Sequence, residues 1–180
     1  MRQILYSVLF AVVSLTAAVA ETVDLGAYGK VSLDVPEGWT SEVQRHPAGV
    51  NFTVKPKGEV NAACKVTIML LDGENDVPFA EMEKRWVGTL APFAEGSVEK
   101  SAEPVKLRLK SGNGMYAVFT DASLVGKPVQ PENYKVMAPG MIKLAKEVIV
   151  ATTIFCDDKD GKEFADLVKM LESLSLDNTL

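Results

Sequence analysis

Between residues 22 and 71, apolar and polar positions alternate with period two in four short segments, the spacing of strands that bury one face. The alternation predicts strands over 22–27 and 30–35 around a Tyr28-Gly29 turn, with Val31, Leu33 and Val35 on one side. Pro36-Glu37-Gly38 stops the second strand. Strands over 50–54 and 65–71 follow on either side of a Pro56-Lys57-Gly58 turn, and the four together read as an antiparallel meander. Between Pro78 and Leu90 the period changes to 3.6. Phe79, Met82, Trp86 and Leu90 fall on one face, which predicts an amphipathic helix capped by Asp76 with Trp86 in the core.

Strands over 105–110 and 115–123 flank Ser111-Gly112-Asn113-Gly114, where Asn-Gly fits the positive backbone angles of a tight hairpin. Pro128, Pro131 and Pro139 place 126–140 in a surface loop. A long strand over 143–156 comes next, and its β-branched run over 148–155 reads as a central strand buried on both faces. Asp160 with Glu163 resembles a capping box that opens a last helix over 161–173, with Phe164, Leu167, Val168 and Leu171 inward. The fold class expected is α+β: an antiparallel sheet with two main helices packed on it.

The N-terminus changes where this domain begins. Arg2 is followed by an apolar stretch over 4–20 that ends in Ala18-Val19-Ala20, the small–x–small pattern read by signal peptidase. Residues 1–20 are expected to be a signal peptide and 21–180 a single domain, periplasmic or secreted, with no stable membrane insertion after cleavage. The rival is an uncleaved anchor, because the apolar stretch reaches the lower limit of about 17 residues that a spanning helix needs. A lipid anchor would require a cysteine at the cut site, and the only two are Cys64 and Cys156.

In an oxidising compartment an even number of thiols favours pairing, so Cys64 and Cys156 are the candidate disulfide. It would close a loop of about 92 residues and contribute at most about 4 to 5 kcal/mol. The alternative is two buried free thiols on separate strands.

Charge excludes one class of partner. The chain carries 19 Lys+Arg against 24 Asp+Glu, a formal net charge of −5. Loss of Arg2 with the leader takes this to about −6, which argues against nucleic acid and for a basic or neutral partner.

Catalytic signals are lacking in the sequence. One histidine and two distant cysteines offer no soft-ligand cluster, so no metal or other cofactor is expected. The acidic turn over 157–161 fails as a calcium loop, because Cys156 and Leu167 would stand where the first acid and the bidentate Glu belong. Gly112-Asn113-Gly114 lacks the lysine of a phosphate loop, and no G-x-S-x-G elbow occurs. His46 lies in a loop-like Gln44-Arg45-His46-Pro47 stretch. Trp39 with Arg45 and His46 is the candidate binding surface, set against a reading of Trp39 as a tryptophan at the edge of the core.

Taken in order, Val31-Ser32-Leu33-Asp34-Val35-Pro36-Glu37-Gly38-Trp39, the helix around Trp86, the hairpin through 115–123 and the final strand and helix over 162–174 before Ser175-Leu176 resemble the PsbP-like fold. That fold is shared by photosystem II extrinsic proteins, Mog-type Ran-binding factors and DcrB-like bacterial envelope proteins. The resemblance implies a non-catalytic module that binds another envelope or secreted protein or stabilises an assembly. A more specific version is an immunity-type inhibitor of a secreted effector, whose basic cleft an acidic domain can cover. The alternatives are a carrier of a small apolar ligand and a hydrolase that uses carboxylates.

Overall fold

The computed structural model describes residues 19–71 and 76–178. Strand β1 (Val19–Asp24) pairs with β2 (Lys30–Val35), which follows a 3-10 turn at Gly26–Tyr28. Strands β3 (Trp39–His46), β4 (Gly49–Pro56) and β5 (Ala63–Leu70) form a meander, but not the one expected: β1 and β2 belong to a separate sheet, and β3 is a strand the pattern did not predict. Helices α1 (Phe79–Thr89) and α2 (Ala91–Gly96) come next, then β6 (Val105–Lys106), β7 (Asn113–Tyr116), β8 (Phe119–Thr120) and a second 3-10 turn at Ala122–Leu124. Strands β9 (Val136–Lys143) and β10 (Val148–Cys156), helix α3 (Lys162–Glu172) and β11 (Ser175–Asp177) complete the described chain.

Two antiparallel sheets result. The small one has the order β1-β2-β11, and the large one runs β3-β4-β5-β10-β9-β7-β6 with β8 also on β9. Helix α3 packs on β2 and β10. It is pinned at its end by Asp34 N donating to Ser173 Oγ at 2.9 Å and Arg108 N donating to Glu172 Oε1 at 3.0 Å. The main core lies between the small sheet with α3 and one face of the large sheet, here called the front face. Leu33, Phe52, Val66, Ile68, Ile142, Ile154, Leu167 and Leu171 are wholly or almost wholly buried in it.

Several expectations are corrected. The strand over 143–156 is a hairpin: Leu144 N donates to Val148 O, and a turn through Lys146-Glu147 joins β9 to β10. The proline-rich loop accordingly ends early, and Pro139 sits inside strand β9. The sheet tolerates it because of where its missing donor falls. Tyr116 pairs with Gly140 and Phe119 with Met137, so β7 and β8 share one register against β9, and between them Ala117 N donates to Pro139 O with no bond returned. The ladder is broken at one point rather than ended.

The turn before β7 takes its positive φ at Gly112, and Asn113-Gly114 lies inside the strand. Neither helix has the cap foreseen for it. Pro78 and Gly161 occupy the N-cap positions without side-chain bonds, and Asp76 instead pairs with Lys143. Trp86 is half-buried and packs on a satellite cluster of Leu90, Ala94, Ala117 and Phe119 outside the main core. Strand β10 is not buried on both faces, because Ala151 is exposed and Thr153 and Phe155 are only half-buried.

Candidate functional site

The foreseen recognition surface does not assemble. Trp39 opens β3 and is 8% exposed, packed into the main core. Arg45 and His46 end the same strand, roughly 20 Å of extended backbone away. His46 is the last residue of an edge strand rather than part of a loop, and its imidazole makes no hydrogen bond or ion pair with a described residue. Arg45 Nη1 donates to Asp24 O at 2.8 Å and ties β3 to β1.

Both cysteines are free, which overturns the expected disulfide. Cys64 stands directly opposite Ile154 on β10, so Cys156 is its diagonal neighbour on the same face. Diagonal pairs lie about 7–8 Å apart. A disulfide needs Cα atoms within about 4.4–6.8 Å. Burial pushes the Cys64 thiol far above its ordinary range and Cys156 up to about 11. Neither is therefore a thiolate, the form that acts as nucleophile.

A groove forms instead on the opposite, back face of the large sheet. Phe119, Met137 and Phe155 stand side by side across β8, β9 and β10, and directly opposed residues share a face. They make its floor. Phe93 of α2 packs on Phe119 with ring centroids 5.9 Å apart, and Tyr134 packs on Phe155 at 5.3 Å, so each end of the floor carries a pair of rings. The cavity measures about 470 Å³, within the range of roughly 300–1,000 Å³ for ligand sites, and it is open along one side. Phe93 is 48% exposed at its rim.

The groove is held by polar contacts behind it. Ser97, buried under α2, donates through Oγ to Ala94 O and accepts from Lys100 N, which fixes the exit from that helix. Glu99 accepts from Thr120 N at 2.7 Å, Thr120 Oγ1 at 2.8 Å and Lys159 Nζ at 3.1 Å. Burial alone would raise its pKa, but those bonds outweigh it and hold the carboxyl below the usual range. On the far side Asn61 Nδ2 donates to Asn133 O and to Asp157, while Lys135 N donates to Asp157 Oδ1, so the loop carrying Tyr134 is tied to β10's end. Burial, reinforced by Glu132 and Asp157, raises the Tyr134 phenol, which stays neutral.

Three charged residues line the groove. Asp121 accepts from Ser123 N at 2.8 Å, and the Ser123 side chain together with that backbone bond keeps its carboxyl below the usual range. Glu132 is paired with Lys55 at 3.8 Å. Lys135 is half-buried, and its ammonium has no partner among the described residues. No three His, Cys, Asp or Glu among the described residues are grouped so as to hold a metal ion.

Sequence reasoning missed this groove, although a signal existed. Met137 and Phe155 occupy the parity opposite to the core residues of β9 and β10, and Met137 was hidden inside the proline-rich segment.

No protein-family model matches the chain, and neither does any curated protein. Among solved structures, the cyanobacterial PsbP (CyanoP) of Synechocystis sp. PCC 6803, determined in solution, aligns with a TM-score of 0.51 at 10% identity. The alignment covers 94% of this chain and 99% of that one. A protein from Bacteroides thetaiotaomicron VPI-5482, solved at 1.50 Å, aligns with a TM-score of 0.49 at 7% identity over 83% of this chain, which spans 46% of that protein. The fold is PsbP-like and α+β, as the resemblance implied. The likeness is one of fold.

Proposed function

We propose that the chain is an exported, non-catalytic module of the bacterial envelope that binds another protein through the groove between α2 and Tyr134. The observation that carries this reading is the groove itself: an apolar floor of Phe119, Met137 and Phe155 with a ring pair at each end and exposed Phe93 of α2 at its rim, where an exposed aromatic beside an apolar surface commonly anchors a partner. The side chains best suited to nucleophilic or base catalysis stand elsewhere, His46 at a strand end and the two thiols in the core. The PsbP-like fold is compatible with a binding role and fixes no partner.

Export fits the way β1 is built. Cleavage after Ala20 would remove Val19 and Ala20, both exposed, and leave Glu21–Asp24 paired with β2 and Val23 buried. Glu21 would keep its bond from Ser41 Oγ at 2.7 Å, so the shortened strand remains fastened to β3.

The test is affinity capture with tagged residues 21–180 from an envelope extract, run beside the Phe93→Asp variant. A single stoichiometric partner held by the parent chain and lost by a variant of unchanged melting temperature is the expected result. Equal capture by both chains would remove the groove from the reading. The size of the cavity favours one second reading, a carrier of a small apolar ligand, and a bound small molecule in native mass spectra of the purified protein would establish it.

A further inference from the structure

We infer that the groove recognises the C-terminus of its partner polypeptide, with an apolar last side chain on the Phe119–Met137–Phe155 floor and the terminal carboxylate on the Lys135 ammonium. This rests on the protein-binding reading above and adds the chemistry of the bound segment.

The groove carries two carboxylates and one ammonium, and only the ammonium has no partner of its own. Asp121 is engaged by Ser123 N and lies near Lys127, and Glu132 is engaged by Lys55. Of the three charged side chains that line the groove, Lys135 is the one whose charged group has no hydrogen-bond or ion-pair partner among the described residues. A carboxylate that meets an ammonium beside apolar surface makes one of the stronger hydrogen bonds available to a protein.

Spacing narrows the ligand further. Lys135 precedes Met137 by two residues, about 6–7 Å along extended backbone, so an anion on the ammonium and an apolar group on the floor can branch from the same atom. A polypeptide C-terminus fits that spacing, because its last side chain and its carboxylate share one Cα. Capture of a terminal carboxylate is a recognised mode of peptide binding.

The surface around the groove has room for the rest of a chain. Beyond Tyr134 and Asn133 it continues into a cleft of about 380 Å³ lined by Val129 and Gln130, and Tyr134 also borders another of about 410 Å³ lined by Val60 and Pro131. A small acid would use only the first of these spaces. Residues upstream of a terminus have a path out through the others.

The experiment uses residues 21–180 and hexapeptides randomised over their last three positions, prepared both as free acids and as C-terminal amides, with binding read by fluorescence polarisation. Free acids should bind about tenfold more tightly than amides, the size expected of one charge-assisted hydrogen bond. Lys135→Gln should abolish that preference, Lys135→Arg should keep most of it, and Lys65→Gln, on an exposed lysine of β5, should leave it intact. Equal binding of acids and amides, or an acid preference that survives Lys135→Gln, would overturn the inference. In either case Phe93-dependent capture of a partner would still stand. A blank with both libraries also overturns it, as does 3-phenylpropionate binding as tightly as the best peptides, which would give the site to free acids. Loss of Phe93-dependence in the capture assay is the separate result that would remove the protein-binding reading itself.

Discussion

The two faces of the large sheet are made by the same strands and have different fates. On the front face, alternate residues of β4, β5, β9 and β10 join the main core with α3 and the small sheet, and all but Pro56 and Leu70 at the strand ends are buried. On the back face, α1 and α2 cover only the β7–β9 side, and no residue of α1 itself is fully buried. Ala151 in the middle of central strand β10 is exposed, and the apolar stripe of Phe119, Met137 and Phe155 is only partly roofed. One parity of each strand therefore supplies stability and the other supplies a surface. A sheet so divided can change what it binds without repacking its core.

The largest test of this division sets two phenylalanines against each other. Phe52 is 1% exposed on the front face, whereas Phe93 stands at the rim of the groove. Phe52→Ala should destabilise the domain by about 3–5 kcal/mol through lost burial and the cavity left behind. Phe93→Ala should cost less than about 1 kcal/mol and act on binding instead. Urea denaturation of both variants decides it, and similar losses would mean that the back face is as much core as the front.

Gly140 sharpens the comparison at a single point of the front face. A Cβ there would lie 2.5 Å from Thr152 Oγ1 and 2.8 Å from the Met115 carbonyl oxygen, both closer than real contacts allow. Gly140→Ala should therefore cost about 1–3 kcal/mol, the usual range for overpacking. Adding Thr152→Ala should recover part of the loss, since the side-chain clash goes and the backbone clash stays. An unchanged urea midpoint for the single variant would show that this face yields to an added methyl group and is not close-packed at Gly140.

The front face was largely legible from sequence, and the back face was not. Val31, Leu33 and Val35 of β2, which cover that face from the small sheet, repeat at period two beside polar partners, so strand and inward side could both be read from that segment. In β10, apolar residues occupy both parities over Val148-Ile149-Val150 and Ile154-Phe155. Periodicity cannot distinguish a second buried face from an aromatic groove, because each calls for the same residues. The β9–β10 hairpin was missed because Lys146-Glu147 contains neither glycine nor proline. Pro139 misled in the other direction, since its position in the ladder depends on a pairing that only tertiary structure fixes. Of the candidate site, Trp39, Arg45 and His46 were read from proximity in sequence, and an extended strand sets such residues far apart. The groove draws on α2, β8, β9 and β10, whose adjacency no local pattern encodes.

The smallest expected effect on stability is also the clearest probe of which face is sealed. Cys156 lies on the front parity of β10 at 2% exposure, and Ala151, five residues earlier, is exposed on the back. An Ala151→Cys chain should react with a maleimide as soon as it is mixed, while Cys64 and Cys156 stay unmodified until the protein is unfolded. The contrast follows from burial, which both blocks access and holds the native thiols in their protonated, unreactive form. Reductant should leave the melting temperature of the parent chain unchanged, because both thiols are free. A fall in melting temperature on reduction would mean that the diagonal pair closes in solution after all. Rapid labelling of Cys156 in the native chain would mean instead that the front face opens, and the two faces would then differ in degree rather than in kind.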